Sequence, residues 1–96
     1  MFIIENTYLA SQEKIDSFIP AHRAYMDVLF KEGLFIAMGP KVPRDGGVII
    51  SAMHNKDELI KLLNQEPLVK NDLVSYRLIE FKPTVVGDKF SFLMGV

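Results

Sequence analysis

The 96-residue sequence predicts an α+β protein in the order βαββαβ, with a four-stranded antiparallel sheet covered on one face by two helices. Three observations carry this. Four short runs are rich in β-branched and aromatic residues. Two segments repeat apolar residues at helical spacing behind residues suited to capping. Strand and helix patterns then alternate as in a split βαβ unit, the ferredoxin-like arrangement.

The first run, Phe2 to Leu9, reads as a strand. Ser11 is a natural N-cap for a helix after it. Ile15, Phe18, Ile19, His22, Met26, Leu29 and Phe30 then fall on one face of a helix, and Gly33 is placed to end it. Pro20 interrupts this stripe, because it has no N–H and crowds the carbonyl of Asp16. It also biases Ile19 away from helical geometry. The expectation is a break near Ile19, with a second helix starting at Pro20.

Leu34 to Met38 is the second strand, closed by Gly39–Pro40. "KVPRDGG" is a turn, and Gly47 to Met53 the third strand. Asn55 caps a helix running to about Asn64, with Leu59, Leu62 and Leu63 facing inward. "QEPLVKND" reads as a loop that Pro67 keeps from being helical. Leu73 to Phe81 is the fourth strand. Residues 1–83 form the domain, and 84–96 a tail with a strand-like piece, "KFSFLMGV".

A sheet covered on one side should alternate apolar and polar residues. Here Val48, Ile50 and Ala52 lie on one side of the third strand, and Ile49, Ser51 and Met53 on the other. The first strand sets Phe2, Ile4 and Tyr8 against Ile3 and Leu9. Both faces are apolar, so the one away from the helices needs cover. A second copy packed sheet on sheet supplies it, which predicts a homodimer burying about 1,600 Å² or more. The alternative is that the tail folds back over that face.

Composition narrows the function. A net charge of −1, with Lys and Arg spread along the chain, argues against nucleic acid. The absence of cysteine removes disulfides and thiolate chemistry. "MFIIENTYLASQEK" lacks a basic start, and Glu5 and Asn6 break its apolar run, so no signal peptide is expected. No apolar run reaches the 18 or so residues of a membrane span, and a cytoplasmic location is the default expectation. Two distant histidines and scattered carboxylates give no metal-ligand spacing, and "DGG" is a turn, not a phosphate cradle. Neither a metal nor an organic cofactor is expected.

His22 is the residue that invites a functional reading. A histidine on an apolar helical face is commonly a buried ring bonded to main chain. If the helix restarts at Pro20, however, His22 lies in its first turn, where the positive helix end and burial favour the neutral ring. A neutral imidazole serves as a general base, and its reference value near 6.5 suits working pH. It needs a carboxylate to orient it. Asp16, Asp27, Asp45, Glu58, Glu66 and Asp72 are all candidates, and spacing does not choose among them. Tyr25, His54, Tyr76 and Arg77 are further polar groups; His54, between a strand and a cap, is expected in solvent.

Four short motifs change this balance. "PAH" at 20–22, "KEGLFIAMGP" at 31–40, "DGGVII" at 45–50 and "NQEPLVKNDLV" at 64–74 fall in the order and spacing of the YCII-related (YciI-like) proteins. The chain resembles that family over about residues 1 to 83. The resemblance implies a dimeric α+β barrel with ferredoxin-like protomers. It also implies a site pairing the histidine of "PAH" with an aspartate just before a proline after the second helix. On this sequence those positions are His22 and Glu66, a glutamate in place of the usual aspartate. Ile19 stands where an arginine often precedes the proline. Gly39 and Pro40 match the family's "GP", where glycine admits a ligand close to the backbone, and Tyr25 is a candidate substrate contact. Characterised members act on chlorinated hydroxyquinone-type compounds.

Two functions of the pocket are open on this reading, beside a third, a purely structural interaction domain, that rests on the two-faced sheet alone. One is a cofactor-free enzyme moving a proton on a small cyclic or aromatic compound, with His22 as acid/base and Glu66 as its orienting partner. The other is a non-catalytic module binding a small ligand in the same pocket.

Overall fold

The computed structural model describes all 96 residues. The chain runs β1 (Phe2–Tyr8), α1 (Gln12–Lys31), β2 (Phe35–Pro40), β3 (Gly46–Ser51), α2 (Lys56–Gln65), α3 (Pro67–Lys70) and β4 (Val74–Glu80), then a 3₁₀ helix (Asp88–Leu93). The strands form one sheet in the order β2-β3-β1-β4, every neighbour antiparallel. This is the ferredoxin-like α+β arrangement. No helix is long and apolar enough to cross a membrane.

Strand alternation assigns the faces. Phe2 and Ile4 are fully buried on the helix side of β1, and Ile49 and Ser51 lie beside them on β3. Two groups of buried side chains result. The larger joins Phe2, Ile4, Ile49 and Leu59 to Met26 and Leu29 of α1. The smaller joins Ile15 of α1 to Leu68 of α3 and to Leu73 and Val74 at β4. Burying each such side chain contributes about 1.5–3 kcal/mol. α1 is thus fastened at both ends, by Ile15 near its start and Met26 further along, both fully buried.

That double anchorage corrects the expected break at Ile19. Ser11 caps α1 by accepting from the Lys14 N–H, and the helix then continues through Pro20 to Lys31. Proline in a helix interior costs about 3 kcal/mol. Burial on either side of Pro20 outweighs this, and Pro20 itself is exposed. Gly33, with φ of +79°, follows the end of α1 in the left-handed conformation that glycine adopts without penalty.

Two other expectations are corrected. Pro67 does not prevent a helix; it begins one, at the first position of α3, where its missing N–H has no intrahelical partner to lose. The tail is not a strand. No sheet edge pairs with it, and Asp88–Leu93 coils as 3₁₀.

The other face of the sheet carries Ile3, Val48 and Ile50, half-buried, with Ile79 and Phe81 exposed. The tail does not cover it: Phe90 and Phe92 are themselves exposed. Glu5 lies among these residues, with Arg77 Nε at 2.6 Å and Lys41 Nζ at 3.5 Å. The hydrogen bond from Arg77, then the charge of Lys41, hold the Glu5 carboxyl below its ordinary value.

Candidate functional site

His22 sits midway along α1, seven residues after Ile15 and four before Met26, on the stripe that faces the sheet. Because α1 does not restart at Pro20, the ring lies nearly three turns inside the helix, far from its positive end. The orienting influence comes from elsewhere. Glu66 closes α2 and caps α3, and its side chain is 2% exposed. Its Oε1 accepts from His22 Nδ1 at 2.5 Å and from the Leu68 N–H at 3.1 Å. Its Oε2 accepts from the Val69 N–H at 3.3 Å. A carboxylate only accepts, so it fixes the proton on Nδ1 and leaves Nε2 as the free nitrogen.

The sequence explains why these groups meet. A buried carboxylate needs several donors to replace its water. "EP" supplies two through the backbone, because Pro67 starts a helix whose next N–H groups turn back on Glu66. The imidazole supplies the third. Ile15 and Leu68, packed in one apolar group, hold α1 against α3 at the separation this contact needs.

The ring is 12% exposed and borders a cleft of about 500 Å³ between α1 and the β2–β3 end of the sheet. Gly39 and Pro40 form part of its wall, so the structure brings three of the sequence-selected positions, these two and His22, to one space. Glu66 stands behind the histidine, outside the cleft lining. Tyr25 is placed differently from its expected role as a substrate contact. It faces α2, where its hydroxyl donates to the Leu62 carbonyl at 2.6 Å, and it does not border the cleft. Burial, then the nearby Glu66 charge, push its phenol above the ordinary value. Its position suits bracing α1 against α2. His54 is exposed and lies away from the cleft.

Residues that the sequence does not single out also border the cleft. Arg44, from the β2–β3 turn, reaches Asp16 on α1 at 2.6 Å and lies 5.7 Å over the Tyr8 ring. Arg23 lies on the same rim with no ion pair. Asn6 forms part of the floor. A signal for Asn6 exists, since it continues the inward-facing series Phe2, Ile4 with a polar group. Nothing local in the sequence marks Arg23 or Arg44. No group of three His, Cys, Asp or Glu residues is arranged to hold a metal ion.

The model of the YCII-related domain matches residues 1–82. No curated protein matches the chain in sequence. Among solved structures, the chain is similar to 5-chloro-2-hydroxyhydroquinone dehydrochlorinase from Burkholderia phenoliruptrix AC1100, in complex with 2,5-dihydroxybenzoquinone. The two share 18% identity and superpose with a TM-score of 0.72, covering 84% of this chain and 92% of that one. The likeness establishes the common fold.

Proposed function

This chain belongs to the YCII-related domain family, and we propose that it is a cofactor-independent enzyme moving a proton on a small cyclic or aromatic compound. The observation that carries this reading is the 2.5 Å contact between His22 Nδ1 and Glu66 Oε1 beside an open cleft. A histidine serving packing alone bonds to main chain, whereas this ring bonds a carboxylate that the Leu68 and Val69 N–H groups hold in place from behind. Glu66 holds the tautomer and stabilises the ring when it gains a proton; Nε2 accepts and returns the substrate's proton. Gly39 and Pro40 shape the wall against which the substrate rests. Two guanidiniums, Arg23 and Arg44, face one carboxylate, Asp16, at the rim, which favours a substrate with acidic oxygens. The dehydrochlorinase of the same fold supports a small oxygenated ring as the substrate class.

The test is an NMR titration with 2,5-dihydroxybenzoquinone as the probe. The His22 ring resonances are expected to shift while those of His54 stay in place. A His22 ring indifferent to the probe at millimolar concentration defeats this reading.

We further propose that the uncovered face of the sheet pairs with a second copy, closing a dimeric α+β barrel. Ile79 and Phe81, 43% and 39% exposed on that face, support the pairing. Light scattering at micromolar concentration is expected to give twice the chain mass of 10.9 kDa. A species of 10.9 kDa defeats the dimer.

A further inference from the structure

Three polar residues are buried: Ser51, Glu66 and Asn6. Ser51 donates to the Leu34 carbonyl at 2.9 Å and accepts from the Met53 N–H at 3.1 Å. Glu66 has His22 and the Leu68 and Val69 N–H groups as partners. Asn6 is 6% exposed, and its side chain makes no hydrogen bond within the protein.

Buried amides are nearly always paired, because an unmade bond carries the full desolvation cost. The register explains why this one is free. Its neighbour on β3 is Gly47, which has no side chain, and its neighbour on β4 is Tyr76, whose hydroxyl is spent on Asn64 Oδ1 at 3.2 Å. No buried side-chain polar atom is both sealed from solvent and without a partner, so the amide opens onto the space it borders, which is the cleft holding His22.

From this unpartnered amide on the floor of the His22 cleft, we infer that Asn6 is a substrate-binding residue that hydrogen-bonds the carbonyl oxygen of a cyclic carbonyl compound. This inference rests on the acid/base reading of His22. His22 Nε2 takes a proton from the ring carbon next to the carbonyl. The C–H electron pair forms a C=C bond, and the carbonyl π pair moves onto oxygen. Asn6 donates its N–H to that oxygen as it becomes negative. On collapse the oxygen pair re-forms C=O and the C=C pair shifts to the next ring bond. Either it pushes the pair of a conjugated ring C=C out to take the proton back from His22 two carbons further on, or it expels a leaving group from the β carbon with its electrons, the proton staying on His22. The charge on oxygen exists only during the reaction, so a neutral donor held ready suits it better than a fixed cation.

The experiment uses Asn6→Leu and Asn6→Asp, with 2,5-dihydroxybenzoquinone as the probe. Asn6→Leu removes a polar group that no protein atom needs, so its Tm is expected to hold or rise. The probe is a vinylogous acid whose oxygens share negative charge at neutral pH, as the reacting oxygen does in the intermediate, so the variant's affinity for it is expected to fall about 10- to 100-fold. Asn6→Asp, which replaces a donor by a negative charge, weakens binding at least as much. In the wild type the Asn6 side-chain amide is expected to shift on titration alongside the His22 ring. A responding His22 beside an unmoved Asn6 amide, or Asn6→Leu binding at wild-type strength, overturns the Asn6 assignment and leaves the acid/base reading intact. A lowered Tm for Asn6→Leu with unchanged affinity marks a structural amide and also overturns it. A His22 ring that ignores the probe overturns both.

Discussion

Replacing His22 with asparagine is expected to lower turnover by about 10²- to 10⁴-fold with the fold intact. The choice of asparagine matters. Its amide nitrogen occupies roughly the place of Nδ1, so it still donates to Glu66 and leaves no buried carboxylate unpaired. It has nothing at the position of Nε2. His22→Ala removes both nitrogens and is expected to lose stability as well as rate. Turnover is followed as deuterium exchange at a ring carbon or as release of the leaving group, and stability by urea denaturation. Full activity in His22→Asn excludes the acid/base mechanism and favours the ligand-binding module.

The second large effect falls on Glu66, and there stability and rate are expected to move by different amounts. Glu66→Ala strips the cap from α3 and leaves the Leu68 and Val69 N–H groups and His22 without their acceptor. A loss of about 2–4 kcal/mol is expected, a large share of the roughly 5–15 kcal/mol that holds a domain of this kind folded. Glu66→Gln does not rescue it. If its oxygen serves His22 and Leu68, its NH₂ meets the Val69 N–H, donor against donor. Glu66→Asp retains a capping carboxylate but shortens its reach by one methylene, so it is expected to keep most of the stability and lose rate through a misdirected ring. Chemical denaturation and turnover measured on all three variants separate these outcomes. Glu66→Ala melting like the wild type would show that the carboxylate does not hold this corner.

Much of the architecture is legible in the sequence, because alternation and helical spacing are properties of single segments. The strands, the Ser11 and Asn55 caps and the turn at Gly33 are of this kind. Apart from Pro67, the misreadings concern features whose meaning depends on distant residues. Pro20 reads as a breaker, yet Ile15 and Met26, buried in separate groups, hold the helix through it. Pro67 also reads as a breaker, although the cue to the contrary is local: Glu66 beside it caps the turn that Pro67 begins. "KFSFLMGV" has strand-like residues but no strand beside it. The His22–Glu66 contact spans 44 residues. No spacing rule selects Glu66 from six carboxylates; only the resemblance to a family does. Asn6 escapes notice when the alternation of β1 is counted for its apolar members only.

Two glycines bound what can be altered around this cleft. A Cβ at Gly46 would lie 1.8 Å from the Asn6 carbonyl oxygen, inside the backbone of the central strand pair. A Cβ at Gly39 would meet no protein atom within 4 Å. One position is therefore locked and the other open, and they govern different surfaces. The register sets Gly39 opposite Val48, on the uncovered face, so a side chain there points away from the chamber and towards the surface a second copy would cover, whereas any at Gly46 wedges apart the two strands on which the chamber is founded.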